Sequence, residues 1–484
     1  MRRRQLSVIA TALLVALLTT ACTDATVGVP DDAAGRSPDD GADDTVGVFP
    51  GPSAFPRGPS GVPAEDAPLD PTLTAALEEI MRGRDYQRFD PDTLATVVAA
   101  DDPRVGWFLA DLVRFAVTGS ELSDGLFDAF EALTGVPPDA VAPDAPPFVA
   151  MTDLLLAWDL PAWDGYRELK GQLFLQIDPR WRAFFEDDDA AVDWRWVSWG
   201  GVRIDDRVFG DPSPCPRGCI PALDDPTLTD AAGGDWYPDE RLVFGISLDG
   251  ESIALPRHQM EIHEMVNLTL AGHDLGIPYC TLCGSAQAYR TSELPAGFDR
   301  AVLRTSGMLS RSNKLMYDLT SGSLIDTFTG EALSGPLHDA EVTLPQVSVV
   351  ASTWGAWKQQ HPRTRILAED GGIDRSYTLD PLGGRDDDGP IFPVGPVDPR
   401  LPVQAPVVGV VLPDGQPVAF PVEDARRELA AGREVVSHGV TAHLDGDGIR
   451  VVADNGESAS HQAFWFAWSQ FHPDTALWSP EVSR

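Results

Sequence analysis

Two cysteines two residues apart, in Cys280-Thr-Leu-Cys283-Gly284, follow a His-Glu pair, His263-Glu264, in the run HQMEIHEMVNLTLAGHDLGIPYCTLCGSAQAY that begins at His258. A Cys-x-x-Cys-Gly turn puts both sulfurs on one side of the chain and lets the backbone bend beneath them, as in a zinc or iron knuckle. One knuckle gives two ligands, and tetrahedral closure needs two more. His263 is the nearest, with Cys215, Cys219, His258 and His273 behind it. Three chemistries suit such a set: zinc or copper held by thiolates and imidazole, structural disulfides, and a cycling thiol pair. The cycling pair is the weakest of the three, because redox pairs of this spacing open a helix and this one opens a strand.

The local pattern sets how these groups are carried. Met260 to Asn267 reads as a helix, and the cysteines sit in a turn between the strands Leu275–Tyr279 and Ser285–Tyr289. Asn267 stands where the His-Glu-x-x-His pattern of zinc proteases has its second ligand, which argues against a metalloprotease. The sequence has no nucleophile elbow, phosphate-binding loop or dinucleotide fingerprint. The run Asp386-Asp387-Asp388 lacks the spaced ligands of a calcium loop and reads as solvated.

Around the cluster lies an internal repeat. Val243-Phe-Gly245-Ile-Ser-Leu-Asp-Gly250-Glu-Ser-Ile-Ala254-Leu-Pro256 is echoed by Val408-Gly409-Val-Val-Leu-Pro-Asp-Gly415-Gln-Pro-Val-Ala419-Phe-Pro421. Each reads as strand, Asp-Gly turn, strand. Each is followed by an aromatic helix that ends in His-Pro: Trp354-Gly-Ala-Trp357-Lys-Gln-Gln-His361-Pro362 and Trp465-Phe-Ala-Trp468-Ser-Gln-Phe-His472-Pro473. The interval between hairpin and helix is longer in the first copy, which leaves room there for the His/Cys cluster. His361 and His472 occur in both copies, so they read as C-terminal helix caps.

The rest of the chain divides by composition. Residues 1–22 combine Arg2-Arg3-Arg4, an apolar run and Thr-Thr-Ala-Cys22, the pattern of a secretory signal with a lipobox-like end. Lipidation of Cys22 would anchor the protein on the outer side of a membrane, in a compartment that permits disulfides. Residues 23–66 are rich in Asp, Gly and Pro and are expected to be a disordered tether. Residues 67–140 carry apolar residues at helical spacing, with Asp-Pro pairs at helix starts, and are expected to form a small helical-repeat bundle. Residues 141–214 form an aromatic-rich connection whose rings, from Trp158 to Trp199, are expected to pack as core. Residues 215–484 read as one duplicated β-rich domain. The expected class is therefore α+β, an N-terminal α-helical bundle before a β-rich domain. A formal charge of −38 excludes nucleic acid and anionic lipid surfaces as partners. The membrane, through the anchor, and a protein docked on the helical domain or the aromatic helices remain as partners.

Several runs together resemble the domain of unknown function 3179 family: Ile220-Pro-Ala-Leu-Asp-Asp-Pro226, the Val243–Pro256 hairpin, His263-Glu264-Met-Val-Asn267, Tyr279-Cys280-Thr-Leu-Cys283-Gly284, Asn313-Lys-Leu-Met-Tyr317-Asp318, Thr320-Ser-Gly-Ser-Leu324 and Phe328-Thr-Gly330. The resemblance runs from about residue 215 to 478 and implies an exported protein of unassigned function. It places the His-Glu and Cys-x-x-Cys positions among shared features and leaves Cys215 and Cys219 outside them. That implies a core metal site of His263, Cys280 and Cys283, with Glu264 orienting His263, and a local Cys215–Cys219 disulfide. Zinc and copper both suit the site. The competing expectation is a non-catalytic, disulfide-stabilised binding or scaffold lipoprotein.

Overall fold

Asp-Pro pairs begin helices for the reason expected of them. Asp70 accepts from the Thr72 N–H at 2.8 Å, and Asp102 accepts from the Arg104 N–H at 3.1 Å ahead of helix Gly106–Phe115. A computed structural model describes residues 49–82, 91–116, 120–215, 217–385, 389–454 and 458–480. The expected leader with Cys22, the expected tether up to residue 48 and Asp386–Asp388 lie outside the described residues. Within them the protein is of the mixed α+β class. Its long helices, Pro71–Arg82, Pro91–Ala99, Gly106–Phe115, Glu121–Thr134, Pro147–Ala157 and Tyr166–Leu175, precede five sheets.

The separate helical bundle expected for residues 67–140 is not what these helices form. Leu77, Phe108, Leu112, Phe130 and Leu154 share one buried core with Trp181, Phe184 and Phe185, and that core continues into Met308, Leu315, Tyr317 and Leu324 on the sheet. Trp181 donates its indole N–H to the Ser306 carbonyl at 2.7 Å. Strand Val197–Trp199 pairs antiparallel with strand Leu303–Ser310. The aromatics of residues 150–210 are largely this seam, with Phe185 and Trp194 stacked at 4.3 Å. Nor is the chain free up to residue 66. The Pro56 carbonyl accepts from Trp158 at 2.8 Å, and the Ala64 and Ala67 carbonyls accept from the buried Arg104.

The repeat in the sequence is a repeat in topology. In one sheet the order is Val350–Thr353, Leu242–Leu248, Glu251–Pro256, Arg365–Leu367, with Leu228–Asp230 at the edge; in another it is Ser460–Phe464, Pro406–Val411, Pro417–Pro421, Ala476–Leu477. In both sheets the hairpin and the first neighbour pair antiparallel, and the returning strand is parallel. Gly245 and Gly409 leave the space that the Trp357 and Trp468 rings fill. The two indoles donate to Thr364 and Thr475 at 3.0 and 2.9 Å. His361 and His472 follow as C-caps, their N–H groups on the Trp357 and Trp468 carbonyls. Gly409→Ala drives a methyl into the Trp468 ring and is expected to lower stability by about 1–3 kcal/mol, the range for overpacking, read by urea unfolding.

Candidate thiol site

Helix Arg257–His263 ends because Glu264 takes the left-handed conformation, φ 52°, with its N–H on the Met260 carbonyl. A glutamate there needs support from its surroundings. Lys314 supplies it: the ammonium donates to the Glu264 carbonyl at 3.0 Å and the Tyr279 carbonyl at 2.7 Å, and pairs with the Glu264 carboxylate at 2.6 Å. Lys314 thereby clamps the helix end to the start of the cysteine turn.

Strand His273–Cys280 delivers the first cysteine. The turn then closes with the Gly284 N–H on the Thr281 carbonyl at 3.3 Å. Gly284 sits at φ 58°, and a Cβ there would meet the Phe464 ring, so glycine is required. Cys280 and Cys283 are free thiols, 1% and 0% exposed. The Ser312 carbonyl, presented by a tight turn with Arg311 and Ser312 at φ 56° and 58°, lies 3.5 Å from the Cys283 sulfur and 3.9 Å from that of Cys280. The Asn313 side-chain oxygen is 3.6 Å from Cys283. Burial opposes ionisation of Cys280, but its hydrogen bond with Cys283 and the charge of Lys314 outweigh it and lower its pKa. Burial, and then the hydrogen bond to Cys280, push Cys283 well up. The two sulfurs are thus an unequal pair, with the negative charge favoured on Cys280.

His263 does not form with them a group of ligand atoms within 4.8 Å of one another. Its Nδ1 lies 2.6 Å from the Pro221 carbonyl and must donate to it, so Nε2, 2.8 Å from the Tyr377 hydroxyl, accepts from that O–H. Both ring nitrogens are engaged. Burial pushes its pKa down to about 3. The expectation that Glu264 orients His263 is corrected as well, because its carboxylate faces Lys314 and Thr281. His273 bonds Asp249 and Arg290, and His258 stacks on Tyr237 at 5.1 Å. Because His263 is neutral and buried when folded, it titrates near 6.5 only after unfolding. Its contribution is complete above that value and is lost as pH falls towards 3. His263→Gln should therefore flatten the fall of the unfolding midpoint between pH 6.5 and 4, measured by urea titration at several pH values.

Cys215 and Cys219 are joined as a disulfide, Cα atoms 5.2 Å apart. Among the described residues these sulfurs and Asp205 form the one group of three or more His, Cys, Asp or Glu ligand atoms within 4.8 Å of one another. The group does not suit a metal. Disulfide sulfurs are not thiolates, and the Asp205 carboxylate is held by Arg207 at 2.7 and 2.8 Å and by the Ala222 N–H at 3.0 Å.

Sequence reasoning passed over Lys314, although a lysine in a chain whose bases are otherwise nearly all arginine was a signal. Asn267, read from the sequence only as the residue in place of a second zinc ligand, is structural: its amide donates to Asp224 and the Leu303 carbonyl and accepts from the Leu303 N–H. The model of the family described as "Protein of unknown function (DUF3179)" matches residues 217–461. No curated protein and no solved structure matches the chain.

Proposed function

On the premise that the chain belongs to this family of unassigned function, we propose that it is an exported protein, held at a membrane through Cys22, whose working centre is the Cys280–Cys283 thiol pair, and that this pair binds a soft metal ion. The observation that carries the reading is the pair itself: two free, buried thiols in one turn, beside the Lys314 charge. Two thiolates suffice for copper(I), which accepts few soft ligands; zinc needs four. With His263 engaged elsewhere, copper is favoured over zinc. Among the described residues no helix is long and apolar enough to cross a membrane; the anchor in this reading is a lipid on Cys22.

The test is metal content by plasma mass spectrometry, beside a free-thiol count without reductant, on the full chain purified after export. Near-stoichiometric copper supports the reading. Absence of metal together with absence of free thiols overturns it and leaves a disulfide-stapled binding module. A second reading, thiol–disulfide cycling, rests on the same two free thiols sharing one turn. It predicts metal-free protein whose Cys280 and Cys283 pass reversibly between thiols and disulfide.

A further inference from the structure

Away from the thiols, where the Glu251–Pro256 strand, the cap of helix Trp354–Gln360 and the Val440–Asp445 strand of another sheet meet, three side chains lie in a hydrogen-bonded line. The Ser252 hydroxyl is 3.4 Å from His361 Nδ1, and His361 Nε2 is 2.6 Å from an Asp445 carboxylate oxygen. The second Asp445 oxygen accepts from Arg450 Nε at 2.7 Å, and Ser247 Oγ lies 3.0 Å from Ser252 Oγ. With Nε2–H donating to Asp445, Nδ1 carries the lone pair that faces serine. This is the arrangement of a nucleophile, its general base and the acid that orients the base, with the two ring nitrogens exchanged relative to the familiar triad.

The repeat separates what is structural here from what is not. Both copies share the cap histidine packed at a tilt against tryptophan, Trp357–His361 at 4.0 Å and Trp468–His472 at 4.4 Å. The flanking groups are not shared. Ser247 pairs across its hairpin with Ser252, and the equivalent pair in the second copy is Val411 with Pro417. His472 instead packs beside Phe328, and burial pushes its pKa down to about 4. Capping a helix needs neither a serine nor a carboxylate at the ring, and only one copy has them.

Asp445 arrives from the other copy on a hairpin tip that is fixed in place. Asp447 accepts from the Ser352 hydroxyl and the Thr353 N–H, both at 2.7 Å, and a Cβ on Gly446 or Gly448 would collide with Ser352 or Ala351. The His361 and Asp445 side chains keep 18% and 11% of their surface, so the line reaches solvent at the sheet rim.

We propose that Ser252, His361 and Asp445 form an esterase site that acts on small acyl esters. A chain of charge −38 repels anions, so the esters are neutral or cationic. Ser252 Oγ adds to the ester carbonyl carbon while its proton passes to His361 Nδ1, and Asp445 stabilises the imidazolium through Nε2. The tetrahedral intermediate expels the alkoxide, which takes the proton from Nδ1 and leaves as alcohol. Water then adds to the acyl-serine with His361 as base, releasing the acid and returning a proton to Ser252.

The experiment is labelling of the purified full chain with a fluorophosphonate, the site located by peptide mass spectrometry, beside p-nitrophenyl acetate hydrolysis. Label on Ser252, blocked by the ester, and hydrolysis abolished in Ser252→Ala are expected. His361→Gln should slow hydrolysis by roughly 10²–10⁴-fold, as for loss of a general base. Wild-type protein without label on Ser252, or Ser252→Ala with the wild-type rate, overturns the proposal. The labelling position is read on unaltered protein, so it decides even where a variant unfolds. If His361 only clasps the two copies, the variants shift the unfolding midpoint and the wild type takes no label.

Discussion

If the thiol pair holds copper(I) as proposed, Cys283→Ser is expected to abolish stoichiometric binding, whereas His263→Gln is expected to leave the affinity within about twofold. Competition with a chromophoric copper(I) chelator under anaerobic conditions would measure both, and the expectation follows from where the side chains stand. Serine in place of Cys283 removes one of two soft donors and leaves a hydroxyl of poor affinity for copper(I). Loss of an outer-shell partner already weakens metal sites by about 10–100-fold, and loss of a direct ligand from a two-ligand site should exceed about 100-fold. His263 makes its two bonds to Pro221 and Tyr377, away from the sulfurs, so its loss acts on folding. A large fall in copper affinity for His263→Gln would restore the Cys-Cys-His site read from the sequence and overturn the two-thiolate centre.

Lys314→Met should lower the stability of the protein by about 3–5 kcal/mol, the range for breaking a buried ion pair from one side. The pair is nearly dry, its side chains 6% and 10% exposed, and methionine leaves the Glu264 carboxylate buried without its counter-charge. The ammonium is also lost to two carbonyls, of Tyr279 and of Glu264, the latter keeping the Tyr279 N–H at 3.0 Å. The double variant Lys314→Met/Glu264→Gln removes the stranded charge and should recover a good part of the loss. Denaturant unfolding of the three proteins checks both statements. Full stability in the single variant would mean that Lys314 is not what holds the left-handed Glu264 in place.

What the sequence revealed and what it hid follow from the range of each interaction. The duplicated unit was legible because its reasons are local: a glycine beneath each tryptophan ring, a threonine seven residues beyond to accept the indole N–H, and an Asp-Gly turn in each hairpin. The Cys-x-x-Cys-Gly turn was legible for the same reason. His263 was misplaced because the helix reverses at Glu264, and a positive φ at a glutamate leaves no trace in residue type. The residue that makes that reversal tolerable, Lys314, lies fifty positions away. The helical bundle was misjudged likewise: amphipathic spacing shows that a helix has a buried face and not what covers it, and here part of the cover is Met308 and Tyr317.

That shared core separates two boundaries that are easily taken for one. Homology begins at residue 217, yet Val197–Trp199 is an edge strand of a sheet whose other members lie wholly inside the match. Arg304 inside the match also pairs with Asp205 before it, at 3.7 Å. A fragment cut at the start of the homology would expose Met308, Leu315 and Tyr317 and leave a sheet edge unpaired, inviting self-association. What is inherited as a unit is therefore smaller than what folds as a unit, and the leading helices are part of the molecule's solubility as much as of its architecture.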